Sequence, residues 1–452
     1  MSSVRRHRGS ERGAVLVHVA IATVGLLALC ALAVDFGIKW IARAQAQNAA
    51  DAGALAGAIS LSFDDPDDLT DTGMAKQSAR QYALANLVWG EAPDVDVTTD
   101  ITFPTCPDGT DTCVRVDVYR NQQRSNPLPT FFAQFVGVMS QGVRATATAQ
   151  VLTGNATDCL KPWAVVDRWD EFNPPEPPDV MDSPDPDFNP QSTFDRYSNG
   201  QGNNPPQEAD LYVPPTQNSP GTGFTVSGNF GTQYAIKTGA PGNAAVSSGW
   251  FRSVDLPRVD TANLGGNAYG ANIVSCNGYP TAIASPGVVC PSDGSQISTH
   301  EEKVYWASRG CVRVQTGVIQ GQTYDGIEQI FNRDPYARWN PSLNDGLGGI
   351  QNSSRTPSDR IVPIAVMDID SYLAADPSGS GGVIKIVNIL GFFIEGLGDV
   401  DGNGNIIFDP ANPMPRNGKA VVGRLMTMPG MAVGNGNIDE DASFLMNIIL
   451  VR

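Results

Sequence analysis

An uncharged, strongly apolar run near the N-terminus constrains this chain more than any other feature. Residues 14–34 contain no Asp, Glu, Lys or Arg, and they follow a short head with four arginines. In a helix with a rise of about 1.5 Å per residue, about 20 apolar residues span the roughly 30 Å hydrocarbon core of a bilayer. The run therefore predicts a transmembrane helix at Ala14–Val34 that tethers everything after it.

The charges on either side of the run predict its orientation. Arginines precede it, whereas Asp35 follows it directly and the rest of the chain is acidic. The positive-inside rule then places residues 1–13 in the cytoplasm and the bulk of the chain on the other side. A cleaved secretory signal is the alternative, because Ala31-Leu32-Ala33 offers a small-residue cleavage pattern. The apolar part of such a signal is shorter, at about 7 to 15 residues, so the sequence favours a single-pass anchor.

The same helix is predicted to continue to Ser60, because the segment is rich in alanine and contains no proline. Its small residues recur in alternating steps of four and three, which places them on one face that a partner helix can approach closely. These candidate helix-packing residues are Ala42, Ala46, Ala49, Gly53 and Ala56. Alanine by itself merely favours helix. A glycine costs about 1 kcal/mol in a helix interior, so Gly53 indicates packing.

Two short motifs flank this part of the helix. Asp35-x-Gly37 directly follows the apolar run, and Gln47-Asn48-Ala-Ala-Asp51-Ala-Gly-Ala-Leu-Ala comes further along. Neither motif is needed to span lipid. Together with the basic head and Gly13, they resemble the N-terminal segment of TadE/TadG-like Flp (tight adherence) pilus-assembly proteins. True pilins of that kind carry a glutamate where this chain has His18, so the resemblance is to the uncleaved, TadG-like branch.

The resemblance implies a non-enzymatic, membrane-anchored component of Flp pilus assembly. Its location would be the bacterial inner membrane, with the C-terminal bulk periplasmic or extracellular. Its partners would be the lipid bilayer and other pilus-assembly subunits, the latter contacted through the N-terminal helix. We expect the β-rich part to contact further envelope or pilus proteins.

The rest of the chain predicts an α+β fold in two parts. Residues 35–153 would form the helix extension and a small helix-on-sheet, pilin-like unit, and residues 154–452 a β-rich exported domain. An irregular segment rich in Pro, Asp and Asn interrupts that domain at 171–220. In the first part the predicted helices are Met74–Leu87 and Thr130–Met139, and the strands are Val95–Phe103, Val114–Tyr119 and Val143–Leu152.

The second part predicts strands separated by Gly and Asn turns, with one helix at Tyr324–Asn332. Trp163 and Trp339 are interpreted as core anchors, because an aromatic side chain buries a large apolar area. The predicted strands are Tyr234–Lys237, Val304–Ala307, Cys311–Val318, Arg360–Met367, Val383–Gly391 and Phe444–Val451.

The cysteines favour disulfides in an oxidising compartment. Cys30 lies in the apolar run, and an even number follow it. The first expected pair is Cys106 with Cys113, and Cys276 with Cys290 and Cys159 with Cys311 are predicted next. Zinc is the alternative, but no Cys-x-x-Cys pair or neighbouring histidine favours it.

Charge and motifs exclude several classes of function. The chain has 30 Lys and Arg against 47 Asp and Glu, a net charge of −17, whereas nucleic-acid binding needs clustered positive charge. His300 is the one histidine after the apolar run, and position 304 is a valine, so the zincin pair of histidines is lacking. Neither a Gly-x-Ser-x-Gly elbow nor a phosphate-binding loop occurs, and no small-molecule substrate is identified.

One loop has the chemistry of a cation site. Its oxygen-bearing side chains alternate, and a glycine stands at the sixth position, as at the start of an EF-hand calcium loop. These candidate ligands are Asp399, Asp401, Asn403, Asn405 and Asp409. Pro410 stands where the bidentate glutamate belongs, and a turn between strands explains the same residues without metal. Apart from this calcium hypothesis, no cofactor is predicted.

The alternative function is a membrane-anchored hydrolase or ligand-binding ectodomain that uses an unrecognised pair of carboxylates. Two clustered carboxylates with raised pKa values in a deep cleft would favour that hypothesis.

Overall fold

The chain divides into two compact units, which are described separately. Unit 1 comprises Met1–Leu61, Asp65–Val151 and Ile448–Arg452, and unit 2 comprises Ser62–Asp64 and Leu152–Asn447. Most of the predicted irregular segment 171–220 lies outside the residues that the computed structural model describes. Those residues are 11–63, 69–107, 109–171, 194, 210–237, 248–259, 268–315, 320–343, 346–355, 357–374, 382–401, 405–431 and 438–451.

Unit 1 is organised around one long helix, α1 (Glu11–Phe63), which no proline interrupts. A second helix, α2 (Met74–Ala85), buries Ala75, Ala79 and Ala83. Its bounds lie close to those of the predicted helix Met74–Leu87. Within the described part of the chain, no helix combines the length and the apolar character that a membrane crossing requires, so the transmembrane helix at Ala14–Val34 stays a prediction.

The sheet of unit 1 is built on an antiparallel pair of strands, β2 and β5, of which β2 is largely buried and β5 begins with alternating burial. The strands of the unit are β1 (Ile101–Thr102), β2 (Cys113–Arg120), β3 (Leu128–Pro129), β4 (Ser140–Gln141) and β5 (Val143–Thr153). β2 and β5 pair from Cys113↔Gln150 to Arg120↔Val143, and β1 adds to the outer edge of β2. Val114, Val116 and Val118 are fully buried, so β2 forms the core of the unit.

Two predictions for unit 1 are wrong. Residues 130–139 do not form a helix: they connect the β3–β4 pair and contain only a short 3-10 turn, Ala133–Val136, which Gly137 ends at φ 88°. Residues 95–103 form a strand only at Ile101–Thr102. The cause is Asp96, whose carboxylate accepts hydrogen bonds from the backbone N–H groups of Thr98 and Thr99 and turns the chain there.

Unit 2 contains a sheet that closes on itself. The strands of the unit are β6 (Ala156–Thr157), β7 (Trp163–Val166), β8 (Gln233–Lys237), β9 (Phe251–Asp255), β10 (Thr281–Ala282), β11 (Cys311–Val314), β12 (Arg338–Asn340), β13 (Gly349–Gln351), β14 (Ile361–Met367), β15 (Val383–Val400), β16 (Ile406–Ile407), β17 (Ala420–Met426), β18 (Met428–Pro429) and the first residues of β19 (Leu445–Val451). The order in the large sheet is β11-β9-β7-β14-β15-β17-β8, and β11 also pairs with β15. Five strands therefore form a ring, from which β17 and β8 extend.

The long strand β15 makes this ring because it pairs with different partners along its length. Its first residues pair with β11 (Val383↔Arg313), its middle with β14 (Ile389↔Ala365) and its second half with β17 (Leu397↔Val421). β7 and β14 run parallel, with Ala164 opposite Ala365. The predicted strand Val383–Gly391 is thus only the first half of a strand that is 18 residues long.

Helices are few in unit 2, as the sequence predicted, but one predicted strand is a helix. Residues 304–307 belong to α5, because Thr299 and Glu302 form a capping box that starts a helix at His300. The described helices are α3 (Val226–Asn229), α4 (Ala268–Val274), α5 (His300–Ala307), α6 (Gln320–Arg333) and α7 (Ile369–Ala374).

The core of unit 2 contains one of the two predicted tryptophan anchors. Trp163 is fully buried, and its indole N–H donates to the Tyr269 hydroxyl at 2.9 Å. Trp339 is only half-buried, and its ring lies 6.1 Å from that of Phe230.

Three disulfides form, and two of the predicted pairs are wrong. Cys106 pairs with Cys113, as predicted, with Cα atoms 5.5 Å apart. Cys159 pairs with Cys276 rather than with Cys311, because the β6–β10 pairing brings these two segments together. Cys290 therefore pairs with Cys311 rather than with Cys276. Both of these cysteines belong to one small apolar cluster with Ile297.

Candidate functional site

The candidate site begins at Asp35, the first charged residue after the apolar run. Its carboxylate accepts hydrogen bonds from the backbone N–H groups of Phe131 (2.8 Å), Phe132 (3.0 Å) and Ala133 (2.5 Å). The side-chain amide of Gln141 donates to the Asp35 carbonyl at 3.3 Å. We call this arrangement the helix-exit clamp. It fastens a loop distant in sequence to the point where α1 leaves its apolar segment.

The electrostatics of the clamp follow from these bonds. The N–H of Phe131, joined by those of Ala133 and Phe132, lowers the pKa of the Asp35 carboxyl, although burial opposes this shift. The three N–H groups lie at the start of the 3-10 turn Ala133–Val136, where the backbone lacks internal acceptors and favours an anion. Asp35 is therefore held ionised, and its charge fixes the loop.

The clamped loop is apolar and exposed. We call residues 131–139 the apolar loop. Phe131, Phe132, Val138 and Met139 are 48%, 43%, 48% and 73% exposed. The Thr130 hydroxyl donates to the Val138 carbonyl at 2.7 Å, which closes the base of the loop. This element was not predicted from the sequence, where its signal is a Phe-Phe pair in a stretch without charged residues.

The predicted packing stripe is buried against this chain's own unit 1. Ala42, Ala46 and Ala49 are fully buried, and Ala56 is 8% exposed. A Cβ on Gly53 would lie 2.9 Å from the Ala79 carbonyl oxygen and 3.0 Å from the Ala83 Cβ. The stripe thus seats α2 and the sheet on α1. Contact between α1 and helices of other subunits stays a prediction. Such a contact would have to use faces of α1 other than the stripe.

The remaining motif residues occupy different environments. The Gln47 side-chain amide donates to the Asp51 carboxylate at 2.8 Å and to the Thr146 carbonyl at 3.1 Å, so it ties α1 to β5. Asn48 is exposed. A Cβ on Gly37 would meet no described atom within 4 Å, so the unit itself does not require a glycine there.

A groove with three arginines lies beside Gln47. It has a volume of about 580 Å³, and Arg43, Arg115 and Arg144 line it. Arg144 and Arg115 contact the Asp117 carboxylate at 3.0 and 3.4 Å. The groove thus brings three arginines beside the Asp117 carboxylate, and the Asp51 carboxylate binds Gln47, which also lines the groove.

The candidate calcium loop is only partly described, since Asn403 lies outside the described residues. Asp401 accepts hydrogen bonds from both the backbone N–H (2.9 Å) and the side-chain amide (3.0 Å) of Asn405. Asp399 lies opposite Ile407 in the β15–β16 pair, and the Asp409 carboxylate accepts the Ala411 N–H. In the described parts of the chain, no group of three or more His, Cys, Asp or Glu side chains is arranged to hold a metal ion. Calcium binding stays a prediction.

A buried aspartate and a buried lysine of unit 2 have strongly shifted pKa values. Burial raises the pKa of Asp167 to about 6, although the Phe224 and Arg168 N–H groups and the Tyr212 hydroxyl stabilise its charged form. Burial lowers the pKa of Lys161 to about 7, and the charges of Arg333 and Arg258 add to this shift. The Asp167 carboxylate accepts the Phe224 N–H at 2.9 Å and lies so close to Gly223 that a Cβ there would come within 2.3 Å of it. The Asp167 carboxylate therefore accepts hydrogen bonds from backbone N–H groups and holds the backbone around it in place.

A second buried cluster organises the segment around Trp339. Arg360 is 1% exposed and donates to the backbone carbonyls of Ala337 (2.8 Å), Ile394 (2.8 Å) and Glu395 (2.9 Å). Asp334 accepts hydrogen bonds from Ser353 (2.6 Å) and from Ser358. The buried charges of Arg360 and Asp334 thus hydrogen-bond backbone carbonyls and serine hydroxyls, which is a structural role.

The comparisons with known proteins concern the helix that carries the clamp. Residues 13–60 match a family model described as putative Flp pilus-assembly TadE/G-like. No curated protein and no solved structure matches the chain. The matched residues all belong to α1 and include Asp35 and the packing stripe, whereas unit 2 lies entirely outside the match.

Proposed function

We propose that this protein is a non-enzymatic, membrane-anchored component of an Flp/Tad pilus-assembly machine in the bacterial cell envelope. The observation that carries the proposal is the family match at residues 13–60, which includes Asp35 of the clamp and the packing stripe of α1. Residues 1–13 would be cytoplasmic, residues 14–34 would cross the inner membrane, and unit 2 and the rest of unit 1 would lie on its periplasmic side.

Anchoring is supported by the surface of the first half of α1. The described large apolar side chains between residues 15 and 34 are all exposed, from 45% at Val34 to 73% at Leu16. No charged residue interrupts this segment. Because an exposed apolar surface of this length is unfavourable in water, a hydrocarbon environment is the one that stabilises it.

Contact with other subunits would use the exposed side of α1 beyond the apolar segment. The stripe is buried within unit 1, whereas Ile41 is 51% exposed. Because the buried core of a protein interface is more apolar than the surrounding surface, an exposed isoleucine fits such a contact. The β-rich unit 2 would supply further contacts in the envelope.

The proposal is tested by photocrosslinking in the native host. A photoreactive residue at exposed Ile41 is expected to capture identified pilus-assembly subunits, and the same residue at Tyr82, 54% exposed on α2, serves as the matched control. Crosslinks from Ile41 to lipid alone would contradict a role in assembly. In parallel, deletion of the gene should abolish surface pili, with rescue by the full chain but not by a chain lacking residues 1–34.

A further inference from the structure

We propose that the apolar loop is a second membrane contact, inserted into the interfacial layer of the bilayer beside the point where α1 leaves it. The inference rests on the proposed anchoring of α1 and adds a lipid-binding surface from a distant part of the chain. The ligand is a phospholipid surface, contacted by Phe131, Phe132, Val138 and Met139.

The depth of the loop is set by the helix-exit clamp. Asp35 comes one residue after the uncharged run 14–34, and its carboxylate holds the backbone N–H groups of residues 131–133 at 2.5 to 3.0 Å. The backbone of the loop is therefore level with the first polar turn of α1. If residues 14–34 fill the hydrocarbon core, residues 131–133 lie at its boundary with the headgroups.

The chemistry of the surface at this level fits an interfacial layer. Residues 130–141 contain no Asp, Glu, Lys or Arg. On α1 itself, Phe36 and Trp40 are 59% and 66% exposed, and their rings meet edge to face at 6.3 Å. Lys39 is exposed between them. Aromatic rings at the headgroup level, with a nearby cation able to reach lipid phosphates, are the usual composition of a membrane interface.

Lipid is favoured over a protein partner because this surface is continuous with the proposed membrane segment. The exposed apolar residues of α1 run from Val15 to Val34, Phe36 and Trp40 extend them, and the clamp joins the loop at Asp35. A clamped loop also loses little conformational freedom when it inserts, since its backbone is already held by hydrogen bonds at both ends.

The test measures the depth of spin labels on the full chain, reconstituted singly into nanodiscs of phosphatidylethanolamine and phosphatidylglycerol. Labels are placed by Met139→Cys, Leu26→Cys and Met74→Cys in a Cys30→Ala background. Met74 is the matched control: it is a methionine, 51% exposed, at the start of α2. The Ser60 and Ser78 side chains meet at 2.8 Å, so α2 packs near the far end of α1, about 37 Å along the helix from Asp35.

The expected result is that the Met139 label collides with oxygen severalfold more often than with a water-soluble nickel chelate, as the Leu26 label does, while the Met74 label shows the reverse. Asp35→Ala should shift the Met139 label toward water and leave the Leu26 label unchanged. A lipid-exposed Leu26 label with a water-exposed Met139 label overturns this inference alone. A Met139 label shielded from both reagents indicates protein contact and also overturns it. A water-exposed Leu26 label overturns the proposed anchoring and this inference with it.

Discussion

The close approach of α1 and α2 makes a prediction that runs against helix propensity. Replacing glycine by alanine in a helix interior ordinarily stabilises it by about 1 kcal/mol. At Gly53 the added Cβ would lie 2.9 Å from the Ala79 carbonyl oxygen, and at Gly57 it would lie 2.8 Å from Val114 Cγ1 and 3.0 Å from the Ala79 Cβ. At both positions a neighbouring element must move.

The magnitude follows from two opposing contributions. Overpacking a closely packed site costs about 1 to 3 kcal/mol, and the gain in propensity offsets about 1 kcal/mol of this. We therefore expect Gly53→Ala to destabilise the α1–α2 contact by about 1 kcal/mol, since its nearest neighbour is a backbone atom that cannot rotate away. A change of 1 kcal/mol is about a fivefold change in the population of opened molecules.

Hydrogen exchange of α2 measures this directly. In the full chain, amides of Met74–Ala85 should exchange about fivefold faster in Gly53→Ala than in the wild type. Gly37→Ala is the matched control: a Cβ there meets no described atom within 4 Å, so α2 should exchange at the wild-type rate. Unchanged or slower exchange of α2 in Gly53→Ala would show that the helices do not meet at the distances described.

Three further predictions concern ionisable side chains. Asp35→Ala should speed the hydrogen exchange of the amides of residues 131–133, because the Asp35 carboxylate accepts their hydrogen bonds. The amides of α2 should exchange at the wild-type rate and serve as the internal control. The stabilising contribution of protonated Asp167 to the free energy of unfolding should be fully present below pH 4. This contribution, about 3 kcal/mol, should be lost as the pH rises through about 6, because the pKa of Asp167 is raised on folding. Urea unfolding of wild type against Asp167→Asn at pH 4 and 7 measures it, and equal pH profiles would refute it. Lys161→Met should stabilise unit 2 by up to about 5 kcal/mol below pH 7, and this advantage should shrink as pH rises from 7 toward 10.5, because burial depresses the pKa of Lys161. An advantage that is the same at pH 6 and pH 9 would show that the lysine is not desolvated.

Local periodicity was sufficient to predict the elements whose partners lie nearby. The helix at Met74 and the strands at Cys113 and Val143 follow from apolar spacing, since each buries one face against a neighbour in sequence. Residues 304–307 were predicted as a strand but belong to the helix that begins at His300, although Thr299 and Glu302 form a capping-box pattern that is readable in the sequence.

Elements fixed by distant residues were not predictable in the same way. Residues 130–139 read as a helix, but the carboxylate of Asp35 accepts three of their N–H groups, and nothing within the segment signals that acceptor. The pairing of Cys159 with Cys276 likewise depends on the β6–β10 register. For the site itself, the sequence pointed to Asp35 and the stripe, whereas the apolar loop needed the folded chain.

The ring of strands in unit 2 determines when this unit can complete its fold during synthesis. β7 gains its parallel neighbour only when Ala365 has been synthesised to lie opposite Ala164, and the ring closes only when β15 supplies Val383 to Arg313. Strand pairings between residues distant in sequence form slowly. Until they form, the unpaired strand edges favour aggregation. A chain stopped before residue 383 retains β7, β9, β11 and β14 but not the strand that closes them. Unit 2 is therefore completed late in synthesis, and its early strands need protection from one another until then.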